Sequence, residues 1–430
     1  MMVPFPVADS PSTKGVAMTE RIPTLLKSLR VAAAVLAAVA VLAWSTPADA
    51  QSAPFGGHKQ RYAEGVLKPG GGQGELDRQT AAFYAKWKAA YLRAGCRAGR
   101  HYVKADTDSG AAVVSEGQGY GMLIVAMMAG EEPDARAIFD GLYRYYLDHP
   151  SEVDPDLMAW AQDADCKNIL GPSSATDGDL DAAYALLLAH RQWGSKGAID
   201  YLAGAERVLK ALMRSNVTKR TKLPNLGDWV KVSGPKYRFA TRSSDWMPGH
   251  FRAFAERDDD WKGVLKASQR TAAQLQSGYA PATGLLPDFV IDTDTAAKPA
   301  PRGFLEGAND GRYGYNACRD PWRFGVDAAI DGDEASAKVA RKMSRWARRA
   351  ASNKPAKLRD GYELDGSPTV QYQSMAFVAP FAVAATVDPD AQKWLDALWD
   401  AMVTTAPEGY YPDSIRMLSM LAVSRNWLRP

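Results

Sequence analysis

The sequence predicts an all-α fold, a barrel built from paired inner and outer helices. Three observations point there. Helical periodicity begins at Glu75 and persists almost to the end of the 430-residue chain. The helical segments, about twelve of them, alternate between apolar stretches and amphipathic ones, as inner and outer helices would. Several of the apolar segments also open alike, on a capping residue followed by acidic residues or glycines, so parallel inner helices would present all these openings at one end.

In chain order, Leu76–Leu92 carries Phe83, Trp87 and Tyr91 four residues apart, a core stripe. Then come Ser115–Gly130, Pro133–Leu147, Asp177–Trp193, Ile199–Ser215, Met247–Glu256 and Asp258–Gln276. Phe324–Ile330, Asp333–Ala351, Gln371–Thr386, Asp388–Thr404 and Ser414–Leu421 complete the set. Two long interruptions break the pattern. Residues 216–246 contain an expected β-hairpin, Trp229–Val232 with Lys236–Thr241 around Ser-Gly-Pro. Residues 278–323 are rich in Gly, Pro and Asp, and loops this long in a compact domain are usually functional or disordered. No internal linker divides the helices, so residues 75–430 are expected to form one domain, after a flexible lead-in over residues 51–74 that ends in KPGGGQG.

Residues 1–50 read as a signal peptide. Arg21, Lys27 and Arg30 precede the apolar run Val31–Trp44, and Ala48-Asp49-Ala50 is a small-residue cleavage site. The run is short for a transmembrane span, so cleavage after Ala50 and a secreted or periplasmic protein are expected, with no membrane contact beyond export. Cleavage would remove four basic and three acidic residues from a chain of net charge +3, which leaves it nearly neutral. That balance argues against nucleic acid as a partner. Of Cys96, Cys166 and Cys318, the first two are the expected disulfide in an oxidising compartment. The five histidines form no metal-ligand spacing, and no metal or cofactor is expected. Nothing in the sequence calls for an oligomer, and a monomer is expected.

The chemistry concentrates at two helix openings. In VVSEGQGYGMLIVAMMAG (113–130), Ser115 and Gln118 have capping-box spacing, which leaves Glu116 at the mouth of a fully apolar helix. Gly117, Gly119 and Gly121 would let another molecule lie against the backbone. A dinucleotide fingerprint would need glycine where Met122 stands, and Glu116 would repel a pyrophosphate. In ATDGDLDAAYALLLAHRQW (175–193), Thr176 and Asp179 repeat the box and place Asp177 where Glu116 stands in the first stretch. Two carboxylates facing one cavity repel, which drives one pKa upward and sets a proton donor beside a permanent anion.

SEGQGYGM followed by ATDGDLDAAYALLLA resembles the signature pair of glycoside hydrolase family 8. PNLGDWV (224–230), TRSSDWMPGHFRAFA (241–255), YNACRDPWR (315–323), AFVAP (376–380) and YYPDSIRMLS (410–419) extend the likeness over essentially all of residues 75–428. The resemblance implies an (α/α)₆ barrel of six inner and six outer helices and inverting, endo-acting hydrolysis of a β-linked glycan. It places the proton donor on Glu116 and the carboxylate that holds the sugar on Asp177. Where many of the family's cellulases have a basic aspartate, this chain has Asn316, whose amide cannot serve. The branch with asparagine there uses a glutamate on the preceding loop, which in FLEGANDG (304–311) is Glu306, with Asp310 as the fallback.

Expected sugar contacts are Tyr120, Trp160, Trp229, Trp246, Tyr315 and Trp322, whose rings can stack on the C–H faces of sugars, together with Asn316 and Arg319. Asp320 is read as a structural partner of nearby arginines. The expected substrate is β-1,4-glucan, cellulose-like or mixed-linkage, with chitosan as the alternative. A polysaccharide lyase would want a Tyr/His/Arg cluster that is not evident, and a non-catalytic glycan-binding protein would have no use for both Glu116 and Glu306.

Overall fold

A helix that is apolar on every face has to be covered on every side. The computed structural model describes residues 52–430, and in it Ser115–Met127 is buried except at Glu116, while every residue of Met375–Thr386 is buried. Twelve α-helices are present among the described residues. They are α1 (Gln73–Tyr91), α2 (Ser115–Met127), α3 (Ala135–Asp148), α4 (Thr176–Trp193), α5 (Tyr201–Ser215) and α6 (Pro248–Phe254), then α7 (Asp260–Gly278), α8 (Asp320–Asp331), α9 (Glu334–Ala350), α10 (Met375–Thr386), α11 (Gln392–Thr404) and α12 (Tyr410–Val423). The even-numbered helices form the inner ring: α2 packs on α4, α4 on α6, α6 on α8, α8 on α10, α10 on α12 and α12 back on α2. Each inner helix also has an outer neighbour, α3, α5, α7, α9 and α11 following their inner partners and α1 lying against α12. This is the (α/α)₆ barrel.

The outer helices show why the alternation was legible. In α9, Val339, Ala340, Met343, Trp346 and Ala347 turn inward and are buried, while Lys338 and Arg349 on its other side are exposed. Asp333 caps α9 by accepting the Ser336 amide at 2.8 Å, and Asp200 caps α5 by accepting that of Ala203 at 3.0 Å. Gly332, at φ 68°, closes α8 in the left-handed conformation that glycine adopts without penalty.

Three local expectations are overturned. The segment 229–241 is not a hairpin: Asp228–Lys231 and Pro235–Tyr237 are 3-10 turns. Asp228 is held by Ser151 and by the Ser174 amide, and Pro235 has no N–H for a ladder. The strand that does form, Thr241–Arg242, pairs with Phe289–Ile291, which pairs in turn with Lys298–Pro299. The two long interruptions thus meet in one small antiparallel sheet.

Neither capping box is made. Gln118 Nε2 donates to the carbonyls of His101 and Leu142, and Ser115 Oγ has no partner among the described residues. Thr176 donates to the Asn225 carbonyl, while Asp179 accepts from Tyr146 and from the Met158 amide. Inner-helix ends are crowded by neighbouring elements, which supply nearer partners than the helix itself.

The lead-in is not loose either. The Phe55, Ala63 and Leu67 amides donate to the carbonyls of Ala129, Ala329 and Thr386, Gln192 pairs twice with the Ala53 backbone, and Tyr62 donates to the Ala422 carbonyl. Those partners lie at the C-terminal ends of α2, α8, α10, α4 and α12, where a helix leaves carbonyls without intrahelical partners and neighbouring segments can bond. The segment is a strap across the floor of the barrel. Residues 1–50, read as a signal peptide, lie outside the described residues. Cys96 and Cys166 are joined in a disulfide, and Cys318 is free and buried.

Candidate active site

The inner helices bring their N-terminal ends to one face of the barrel, and the site is built there. Glu116 and Asp177 are each the second residue of their helix, α2 and α4. Between them stands Arg319, at the entry to α8 and only 1% exposed. A guanidinium so buried is stable only when its donors are matched. Arg319 Nη1 donates to Glu116 Oε2 at 2.7 Å, to Asp177 Oδ2 at 2.8 Å and to the Tyr120 hydroxyl at 3.2 Å. Nη2 reaches Ser244 Oγ at 2.9 Å and Asn316 Oδ1 at 3.1 Å, and Nε reaches the Asn316 carbonyl at 3.2 Å. On its other side Glu116 accepts the Tyr410 hydroxyl at 2.8 Å.

The two carboxylates titrate differently although one arginine serves both. Burial pushes Glu116 up to about 7; Arg319 opposes the shift, and the negative charge of Asp177 adds to it. Burial acts on Asp177 in the same sense, but Arg319 and Arg242 outweigh it and hold this carboxyl below its ordinary value. Near neutral pH the pair is therefore one proton donor beside one anion.

Glu306 comes from the long loop. Its Oε2 accepts Asn316 Nδ2 at 2.8 Å and its Oε1 accepts Arg242 Nη2 at 3.1 Å. Asn316 thus joins Glu306 to Arg319, and an amide and a guanidinium stand between the Glu306 and Glu116 carboxyls. Both acids line a cleft of about 970 Å³, with Asp177, Arg242, Asn316, Trp160, Tyr315, Tyr372, Tyr410 and Tyr411 also in its wall. Asp310, the fallback base, is 2% exposed and turned into its own loop.

Of the aromatic residues expected to hold sugar, Trp160 and Tyr315 line the cleft, with the Tyr315 hydroxyl donating to Asp360 at 2.9 Å. The others do not. Trp246 and Trp322 are fully buried: the Trp246 indole donates to Thr241, and Trp322 lies under the Arg323 guanidinium in contact with Tyr120 and Trp427. Tyr120 is also fully buried, its hydroxyl spent on Arg319. Trp229 is half-buried off the cleft, edge-on to Tyr237 at 5.0 Å. Tyr120, Trp246 and Trp322 stand so close to the helix mouths that the barrel packs them inward, while Trp229 packs in the 3-10 turn outside it. Arg319 touches the carboxylates rather than the open cleft. Among the described residues Asp320 pairs with no arginine and neither of its oxygens has a hydrogen-bond partner, and burial holds its carboxyl well above the ordinary range.

The glycines also differ from expectation. A Cβ on Gly117 would meet the Tyr410 hydroxyl at 2.8 Å, one on Gly119 the Gly178 carbonyl at 2.8 Å, and one on Gly121 Val103 at 2.4 Å. They admit neighbouring protein, not a ligand. Sequence reasoning missed Arg242, Ser244, Tyr410 and Tyr411 at the site, although all four sit within TRSSDWMPGHFRAFA or YYPDSIRMLS. It missed Tyr372 and Asp360 outright, since their segment carries no motif.

Comparison with known proteins identifies the family and supports the fold. The family described as Glycosyl hydrolases family 8 matches residues 76–425. A beta-glucanase of Niallia circulans is 42% identical over 88% of this chain and 92% of its own length. An endoglucanase of Bacillus sp. (strain KSM-330) is 40% identical over 85% of this chain and 80% of its own. The solved apo structure of a beta-1,3-1,4-glucanase from Paenibacillus sp.X4 superimposes with a TM-score of 0.85 at 41% identity, covering 89% of this chain and 100% of that one. The chain belongs to glycosyl hydrolases family 8 and is a glycoside hydrolase.

Proposed function

We propose that this protein is an inverting, endo-acting β-glucanase that cleaves β-1,4 bonds of cellulose-like or mixed-linkage glucan. Glu116 protonates the leaving glycosidic oxygen. Glu306 takes a proton from a water that attacks the anomeric carbon from the opposite face. Asp177 stays anionic and holds the sugar at the point of cleavage, and Trp160 and Tyr315 offer ring faces to it. The observation that carries this reading is a protonatable Glu116 and a separate carboxylate, Glu306, in one cleft with Asn316 and Arg319 between them. Inversion requires carboxyls roughly 6.5–9.5 Å apart, with room for one water. Asn316 acts as a hydrogen-bonding partner of Glu306, since an amide cannot accept the proton.

Relatives named for β-glucan and endoglucan hydrolysis at 40–42% identity support the glucan assignment. One feature favours the alternative substrate, chitosan. Asp106, Asp108, Glu116, Asp177, Glu306, Asp360 and Glu408 line the cleft and, among the described residues, Arg242 is the only cation in its wall, a setting suited to an ammonium-bearing polymer.

The protein acts outside the cytoplasm after removal of residues 1–50. The Cys96–Cys166 disulfide and the strap, bonded from Ser52 onward, support this placement.

A panel of carboxymethylcellulose, barley β-glucan, chitosan and xylan tests the assignment on wild type and Glu116→Gln. The expected result is a rapid fall in viscosity of the glucans with few new reducing ends, and loss of about 100- to 10,000-fold in the variant. Cleavage of xylan alone, or a fully active variant, contradicts it.

A further inference from the structure

Glu116, Asp177 and Arg319 are set at the starts of buried helices, but Glu306 has no such support. It sits on a loop and its side chain is 48% exposed. A general base must hold its water in line with the anomeric carbon, and a misplacement of about 1 Å can cost about 100-fold in rate.

Asp310 supplies the missing support. Among the described residues its buried carboxylate bonds only to the turn that carries Glu306: Oδ2 accepts the amides of Leu305 at 2.7 Å and Glu306 at 3.2 Å, and Oδ1 accepts that of Gly307 at 2.9 Å. Its main chain is anchored in turn, because the Phe289 amide donates to the Asp310 carbonyl at 2.8 Å. Phe289 belongs to the middle strand of the small sheet and pairs with Arg242 on the next strand. The Arg242 guanidinium lies 5.4 Å from the Phe289 ring centre and binds the far end of Glu306. One strand residue therefore fixes both the backbone and the carboxylate of Glu306.

We propose that Asp310 is a positioning residue for the hydrolytic step, acting only through Glu306. This rests on the reading of Glu306 as the base. Asp310 does not take the proton itself, since both its oxygens face amides inside the loop and it is absent from the cleft wall.

A double-mutant cycle on barley β-glucan tests the proposal. Asp310→Asn sets an NH₂ group against amide donors, while Asp310→Ser keeps one uncharged acceptor. The expected kcat losses are about 100-fold and about 10-fold, with KM and the affinity for cellotetraose unchanged. In a Glu306→Ala background, Asp310→Asn is expected to cost nothing further. The proposal is overturned if Asp310→Asn keeps kcat within about twofold of wild type, if KM rises while kcat holds, or if the Asn loss recurs in full on top of Glu306→Ala. If Asp310→Asn does not fold, the Ser variant decides by the same criteria. A nearly active Glu306→Ala would sink the base assignment and this proposal together; a collapsed Glu306→Ala beside an intact Asp310→Asn sinks this proposal alone.

Discussion

Arg319 decides how the acids of this site share their protons. It touches Glu116 and Asp177 through the same nitrogen, yet only Asp177 is held below its ordinary value, because there Arg319 and Arg242 together outweigh burial, whereas at Glu116 burial outweighs both arginines. Glu116 has burial and the Asp177 charge against it and rises to about 7. A general acid works only in its protonated form, so kcat/KM is expected to fall as pH rises through about 7. Asp177→Asn removes one cause of the upward shift, so the alkaline limb should move to lower pH even as overall activity drops. A pH–rate profile of the two enzymes checks this; a limb that stays in place would show that Asp177 does not set the Glu116 proton. At this scale the sequence was readable wherever a residue's role follows from standing at a helix mouth, as for Glu116 and Asp177. It misled for Trp246, Trp322 and Tyr120, because the same motifs that place side chains at the cleft also place their neighbours in the core.

Among elements, the helices were the most legible and the irregular segments the least. The alternation of apolar and amphipathic stretches reports inner and outer helices directly, since burial on all sides or on one side is what composition records. The capping boxes failed for the opposite reason. Spacing records what a helix end could do alone, and inner-helix ends bond to other elements instead. The hairpin over 229–241 failed because its true strand partner, Phe289–Ile291, lies in the other long loop, beyond any local signal.

The strap shows the same limit: a polar, glycine-rich stretch reads as flexible until its partners, at the C-terminal ends of five inner helices, are seen. Each such hydrogen bond contributes about 1 kcal/mol, so deleting residues 52–72 should cost about 3–6 kcal/mol. Denaturant midpoints of full and shortened chains measure this, and equal midpoints would contradict the strap.

At the scale of the molecule, the six inner helices among the described residues close a ring whose N-terminal face gathers residues far apart in the chain. Glu116 and Tyr410 are in contact although 294 positions separate them. That convergence explains why the family motifs were visible one by one while their contacts were not. Arg319 was seen as an arginine near the site, but its six donor contacts depend on α2, α4 and the turn before α6 meeting at one point. The acidic lining of the cleft was equally hidden, because the nearly neutral chain places its carboxylates unevenly.

The central claim is that Glu116 and Glu306 act across this cleft as acid and base. Its most direct test is Glu306→Ala acting on a soluble β-glucan oligosaccharide with added azide, a nucleophile that needs no base. The account predicts that azide restores turnover and yields the α-glycosyl azide. No rescue, or a β-glycosyl azide, would contradict it.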